Sequence, residues 1–287
     1  MSKINKNLRY YFLGLLFLAA VFVWYAVFKE TRKDLLVAFL DVGQGDAVFI
    51  QTLDGKQIMV DGGPPNKTVL RQLSRIMPFY DRTIDAVILT HPHLDHYGGL
   101  INVLRKYKVG LILDSGSEND ESSGFADYQK AVEAEKSFYA QAKRGMKINL
   151  GGGAYLDILL PVINDKNIPP HDAMVVSKLV YKNNSFLLTG DMEDNLENYL
   201  LAPGARNLKS NVLKVGHHGS RTSTSEMFLG SVSPDFAVIS AGAENKYGHP
   251  HKEIMERLEK FETPVLRTDE EGTIKIFSDG ERISIAD

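Results

Sequence analysis

The segment Thr90–Gly99, THPHLDHYGG, constrains this chain more than any other feature. Three histidines and an aspartate (His91, His93, Asp95 and His96) fall within six residues, directly after the apolar run Ile84–Leu89. That run is short and rich in β-branched residues, so it predicts a buried strand. In an extended turn at its end, His91 and His93 point the same way, and both imidazoles can face one metal ion. Asp95 and His96 can reach a second ion beside it. Gly98-Gly99 allows a tight entry into a helix predicted over Leu100–Tyr107. The bland alternative is a solvated histidine-rich loop. The strand-end placement opposes it, and so does the clustering of histidines: seven of the eight lie in three groups, 91/93/96, 217/218 and 249/251.

The chemistry left open by composition is narrow. There are no cysteines among the 287 residues, so disulfides, thiolate nucleophiles and Cys-ligated zinc are excluded. With only N and O donors, zinc and manganese both fit, and two divalent ions are expected. The net charge of -3 gives no basic field to advertise passive coating of nucleic acid. It leaves open an enzyme that meets phosphates through metal ions.

Tyr10–Phe28 is a run of 19 uncharged residues. As a helix it would span about 28 Å, close to the thickness of the bilayer hydrocarbon. Aromatic residues sit towards both ends, at Tyr10, Tyr11, Trp24 and Tyr25. A cleaved signal peptide is the alternative, but the apolar core is long for one and no small-x-small site closes it. Lys3, Lys6 and Arg9 precede the run and Lys29, Arg32 and Lys33 follow it, so charge alone leaves orientation tied. A short, purely basic tail ordinarily stays inside, which would export the main domain. The expected organisation is a basic tail (1–9), a single-pass anchor in the cell membrane (10–28), a linker (29–34) and an extracytoplasmic domain (35–287).

Beyond the linker the pattern is α/β. Strands are predicted at Leu35–Leu40, Ala47–Thr52, Gln57–Val60, Ile84–Leu89, Val109–Leu113, Tyr155–Leu160, Val175–Tyr181, Ser185–Leu188, Val212–Val215, Phe236–Ser240, Val265–Arg267 and Thr273–Phe277. Helices are predicted at Thr68–Met77, Leu100–Tyr107, Phe125–Lys143 and Glu253–Phe261, with a polar loop over Ser115–Gly124. The order does not alternate as a doubly wound sheet should. One internal echo stands out: KQIMVDGG (Lys56–Gly63) and NSFLLTGD (Asn184–Asp191) are each a polar turn, an apolar strand and an acid beside glycine. Two similar halves would bring strand-end acids to a shared cleft.

The His-x-His-x-Asp-His pattern resembles the signature of the metallo-β-lactamase-fold hydrolases. DVGQGDA (Asp41–Ala47), VDGG (Val60–Gly63), THPHLDH, LTGD (Leu188–Asp191), KVGHHGS (Lys214–Ser220) and YGHPH (Tyr247–His251) occur in the order of that family. As a set they are similar to the extracytoplasmic hydrolase domain of ComEC-type competence proteins. The resemblance implies an αββα sandwich of two mixed sheets with helices outside. It implies that His91 and His93 bind a first metal, that Asp95 and His96 bind a second, that Asp191 bridges them, and that one of His217 and His218 completes the second site. His171, in a position where the family often has a ligand histidine, either restores that ligand or is an exposed loop residue after Pro169-Pro170. Asp191 could otherwise be a helix cap before MEDNLENYL, and His217-His218 a buried hydrogen-bonded pair.

Such a site would activate a bridging water as hydroxide and offset charge on a phosphate or carbonyl oxygen. Asp95 and His249 are the candidate catalytic residues, with His249 either touching substrate or protonating a leaving group. Asp41, Gln44, Asp46, His251 and Arg267 are candidates to contact substrate or to orient ligands. A phosphodiesterase or nuclease linked to DNA uptake is the leading expectation. The alternatives are a hydrolase of envelope phosphodiesters or of small esters and lactones, and a non-catalytic metal-binding partner. ComEC-type proteins carry many membrane spans and this sequence shows one, so a role in uptake would require a membrane protein partner.

Overall fold

The computed structural model describes residues 6–30, 34–117, 124–162, 169, 171–202 and 207–286. Its strands are β1 (Leu35–Phe39), β2 (Val48–Gln51), β3 (Gln57–Val60), β4 (Thr83–Ile88), β5 (Lys108–Asp114), β6 (Phe138–Gln141), β7 (Lys147–Gly151), β8 (Ala154–Leu160), β9 (Val176–Tyr181), β10 (Asn184–Leu188), β11 (Val212–Lys214), β12 (Phe236–Ile239), β13 (Val265–Arg267), β14 (Ile274–Ser278) and β15 (Ile283–Ile285). The helices are α1 (Lys6–Glu30), α2 (Thr68–Ile76), α3 (Leu94–Tyr97), α4 (Leu100–Lys106), α5 (Phe125–Glu135), α6 (Asp194–Leu200), α7 (Glu226–Val232), α8 (Lys252–Lys260) and α9 (Thr268–Glu271).

Two mixed sheets face each other. One has the order β15-β14-β1-β2-β3-β4-β5-β6, the other β13-β12-β11-β10-β9-β8-β7. Alternation along β1 shows the layering. Leu35, Val37 and Phe39 point into the core between the sheets, together with Leu156, Phe186 and Val238 of the second sheet. Leu36 and Ala38 point outward, onto Val69 and Leu73 of α2 and Leu100 and Val103 of α4. A strand covered on both faces must be apolar throughout, hence LLVAF. A third cluster packs α6, α7 and α8 on the outer face of the second sheet, through Leu200, Phe228, Leu229, Ile254 and Leu258. The result is the expected αββα sandwich.

The echo in the sequence is an echo in space. β3 pairs antiparallel with β2 and parallel with β4. In the other sheet, β10 pairs antiparallel with β9 and parallel with β11. Asp61 and Asp191 therefore leave equivalent strand ends.

One expected element is corrected. The helix predicted over Phe125–Lys143 stops at Glu135, and Lys136 turns to positive φ. Phe138–Gln141 then adds a parallel edge strand to β5. The Ala/Glu/Lys content suggests one long helix, but the backbone of Phe138–Gln141 pairs with β5, and aromatic residues favour strands. Strands β7 and β15 and helices α3, α6, α7 and α9 complete the architecture beyond the sequence expectation. Most of the polar loop at 118–123, linker residues 31–33 and residues 1–5 of the basic tail lie outside the described residues. Helix α1 covers the predicted span, and Asn7–Tyr25 is long and apolar enough to cross a membrane.

Candidate metal centre

The site gathers at the C-terminal ends of β3, β4, β10 and β11, where each strand opens into a glycine-bearing turn. Close approach at these turns needs glycine: a Cβ on Gly99 would collide with the Gly62 carbonyl oxygen, and one on Gly45 with that of Asp95. Three non-glycine residues here hold positive φ: Asp61 (57°), His217 (47°) and His218 (54°). Such backbone is costly, and it concentrates where function over-determines it.

Two groups of donor atoms, each within 4.8 Å of one another, lie side by side: His91, His93 and His171, and Asp95, His96, Asp191 and His218. Asp191 faces both. Its Oδ2 is 4.0 Å from His91 Nε2 and 3.2 Å from His96 Nε2, and its Oδ1 is 3.4 Å from His218 Nε2. His218 Nε2 also lies 3.5 Å from Asp95 Oδ2. A third group, Asp46, Asp61 and His96, meets the same spacing. Its carboxylates are already engaged, Asp46 by Lys214 and Asp61 by Thr90, so it supports the second group.

The ring nitrogens are sorted by their outer partners. Thr90 Oγ1 donates to Asp61 Oδ2 at 2.7 Å, so it can only accept from His91 Nδ1 at 3.1 Å. His96 Nδ1 donates to Asp61 Oδ2 at 2.9 Å, and His218 Nδ1 to the Ser240 carbonyl at 2.9 Å. Each imidazole thus turns its Nε2 into the cleft, which is how a metal-ligating histidine is set. His91 Nε2, His96 Nε2, His218 Nε2, His171 Nδ1 and Asp191 Oδ1 are buried and have no hydrogen-bond partner among the described residues. Buried polar atoms left so are costly, and a cluster of them facing one another fits bound cations. The residues present therefore suit two divalent ions.

Charge in the metal-free protein follows the same division. Burial, with the other imidazoles, lowers His91 well below the ordinary histidine value and lowers His93 too. Burial also works against charge on His96 and His218, but Asp191 and Asp61 raise the first well above that value, and Asp191 and Asp46 the second. Burial alone would raise the Asp191 carboxyl; His218 and His96 overcome it and hold it well below the carboxylate range. Asp46 is likewise held low against burial, chiefly by Lys214 and His218.

The remaining candidates separate into those the fold brings to the cleft and those it does not. His217 belongs to neither donor group. Its Nδ1 meets Glu193 Oε1 at 3.1 Å and its Nε2 lies 3.7 Å from Asp191 Oδ2. The His249 ring stands 5.7 Å from that of His217 and stacks on Tyr247. Burial, then His218 and His217, lower His249 to about 4, so at neutral pH it is uncharged and suited to accept rather than donate a proton. His251 Nδ1 accepts from the Arg221 backbone N–H at the start of α8. Asp41 Oδ1 accepts from the Gly43 N–H, and Gln44 Oε1 from the Gly242 N–H, tying the first loop to the loop after β12. Arg267 is held by Asp269 and Glu270.

Four residues with roles here carry none in the sequence pattern: Asp61, Thr90, Lys214 and Glu193. Asp61 was signalled by the echo between the two halves. Lys214 was signalled as a lone cation in the apolar run VLKV, and it is fully buried, bonding Asp46 and the Gly190 carbonyl. Nothing in the sequence singles out Glu193.

The superfamily profile described as Metallo-beta-lactamase superfamily matches residues 40–243. ComE operon protein 3 of Bacillus subtilis is 30% identical over 278 residues, covering 89% of this chain and 34% of that protein. Recombination protein 2 of Haemophilus influenzae is 33% identical over 267 residues, covering 90% of this chain and 31% of that protein. The chain thus spans about a third of the length of these relatives, and the resemblance to ComEC-type competence proteins is borne out. The metallo-beta-lactamase fold protein YhfI from Bacillus subtilis superposes with a TM-score of 0.52 at 11% identity, over 81% of this chain and 95% of that one, a likeness of fold. The profile covers most of the chain and all seven residues of the two donor groups, and on that ground the chain belongs to the metallo-beta-lactamase superfamily.

Proposed function

We propose that the chain is a membrane-anchored, metal-dependent phosphodiesterase or nuclease associated with DNA uptake. The observation that carries this reading is Asp191, one buried carboxylate facing both donor groups at once. His91, His93 and His171 would hold one ion; Asp95, His96 and His218 would hold the other; Asp191 would serve both. The ions, when bound, would supply Lewis acidity and an activated water. The chain's own residues do the rest. Asp61 and Thr90 fix the rings of His91 and His96, and Asp46 with Lys214 steadies the far side of His218. His217, held by Glu193, and neutral His249 stand over the cleft and are placed to touch substrate or accept a proton. The relatives named ComE operon protein 3 and Recombination protein 2 support a nucleic-acid substrate. Residues 10–28 would form the anchor, 29–34 the linker and 35–287 the hydrolase domain, carried on the extracytoplasmic side.

The test is a substrate panel on the full chain in detergent, stripped of metal and then given Mn²⁺ or Zn²⁺. Metal-restored cleavage of single-stranded DNA, duplex DNA or bis-p-nitrophenyl phosphate is expected. Cleavage of a lactone alone would move the assignment to ester hydrolysis. Full metal loading without turnover on any substrate would make the chain a binding protein.

A further inference from the structure

The tether between the apolar helix and the domain is short. Six residues lie between Phe28 and Leu35, and even fully extended they reach about 20 Å. A domain of roughly 250 residues is about 45 Å across. The sheet end at which β1 begins must therefore stay close to the point where the chain leaves the bilayer. That end is opposite the metal centre. β1 runs from Leu35 towards Asp41, and β4 runs in the same sense from Thr83 to the histidine motif, so its six residues put roughly 20 Å between the two ends of the sheet. Helices α2 and α4 return from the metal end and finish here.

The surface at this end has an unusual make-up. Phe79 and Tyr80, in the turn between α2 and β4, are 84% and 65% exposed, with their rings edge to face at 5.5 Å. Arg75, Arg82, Lys106 and Lys108 surround that turn, all exposed, and the Lys108 N–H bonds the Arg82 carbonyl. The acids beside the turn are partly exposed but already partnered. Asp81 accepts from Gln57 and Thr83, Asp85 from Lys56 and the Gln57 N–H, and Glu135 from the Val109 N–H. Cations and aromatic rings are left facing outward, the composition that suits an anionic lipid headgroup layer.

We infer that this end of the domain, centred on Phe79 and Tyr80 and ringed by Arg82 and Lys108, is a second membrane contact that docks on the anionic bilayer surface and holds the metal cleft facing away from it. The inference rests on the anchor reading of residues 10–28. It also bears on substrate: a cleft turned from its own bilayer receives a polymer or solute from the aqueous side, and lipids of that bilayer are out of reach.

The absence of cysteine allows clean single-site labelling. The full chain is reconstituted into vesicles of phosphatidylcholine with or without phosphatidylglycerol, with a donor dye at Tyr80→Cys or at Tyr247→Cys beside the cleft and an acceptor on the headgroups. Energy transfer from position 80 is expected to exceed that from 247 severalfold. Arg82→Glu/Lys108→Glu should shrink that contrast in phosphatidylglycerol vesicles and leave it unchanged in phosphatidylcholine alone. Equal transfer from both positions, or stronger transfer from 247, overturns the inference, as does a double variant without effect. So does loss of oligonucleotide binding in the double variant without any lipid effect, which would make the face a nucleic-acid surface. Flotation of the same vesicles separates the two readings. A chain that fails to float refutes the anchor; a chain that floats with position 80 far from lipid refutes the docking face alone.

Discussion

The two donor groups of the cleft are built from different materials. The first is three imidazoles, His91, His93 and His171, with no carboxylate among the described residues but the shared Asp191. The second holds Asp95 and Asp191 beside His96 and His218, and behind it stand Asp61, Asp46 and Lys214. An ion in the second group meets negative charge and rings already pinned by buried partners. An ion in the first depends on neutral rings and on a histidine from the stretch between β8 and β9. The difference teaches that affinity need not be equal across a paired site: the carboxylate-rich group should fill first and empty last, and Asp191 should set the coupling.

The change expected to break this picture most severely is Asp191→Asn. It keeps the shape but removes the charge common to both groups, and two cations would repel with less compensation. Loss of at least one ion is expected, with kcat lowered about a thousandfold or more, roughly 4 kcal/mol of barrier. Metal analysis and turnover check it. Wild-type activity with a slightly lower Tm would mean that Asp191 only caps the turn before α6, a loss of about 1 kcal/mol.

Next comes Lys214→Met. The lysine is buried against Asp46 and 3.9 Å from Asp191 Oδ1. Removing it strands buried carboxylate charge, which costs about 3 kcal/mol or more. Chemical denaturation of the metal-free chain should show that loss, and metal should recover part of it by supplying charge to the second group. An unchanged midpoint would mean that the pair adds nothing to stability.

A sharper cut falls between neighbours. His218→Ala should lower affinity for the more tightly held ion, whereas His217→Ala should leave both ions in place and reduce turnover by about ten- to a hundredfold, through loss of the Glu193-held ring over the cleft. Titration with a metal indicator separates them. The reverse pattern would assign His217 as the ligand.

That last distinction marks where the sequence stopped being legible. The strand-end histidines and the acids after β3 and β10 could be read because period, glycine turns and motif order all point the same way. His217 and His218 are adjacent and identical and both hold positive φ, and it is their outer partners that divide them: Glu193 for one, the Ser240 carbonyl for the other. Those partners are 24 and 22 residues away, and no local pattern encodes such a contact. The same reason hid the split of Phe125–Lys143. Helix propensity is a local property, and the pairing of Phe138–Gln141 with β5 is not.

The smallest expected effect is on pH dependence, and its sign differs between the metal-free and loaded chain. In the metal-free chain His96 and His218 are raised well above 6.5 by Asp191 and Asp61 and by Asp191 and Asp46, against the opposing pull of burial. A group raised on folding contributes stability that is complete below its unfolded value, about 6.5, and is lost as pH climbs through the folded one. Asp191 and Asp46 are held below the carboxylate range, so their contribution is present above about pH 4 and is lost only on acidification below it. The Tm of the metal-free chain should therefore fall by a few degrees as pH climbs above about 6.5, with no matching loss from the acids in that window. Metal binding must displace the protons on His96 and His218, so the stabilisation gained from added metal should grow over the same range. The two curves should diverge, and more so for the ion of the second group, since His91 and His93 of the first carry no proton to displace near neutrality. Thermal scans with and without Zn²⁺ at stepped pH check this. Parallel curves would mean that the second group does not carry the protons its carboxylates demand, and that its advantage over the first lies in geometry rather than charge.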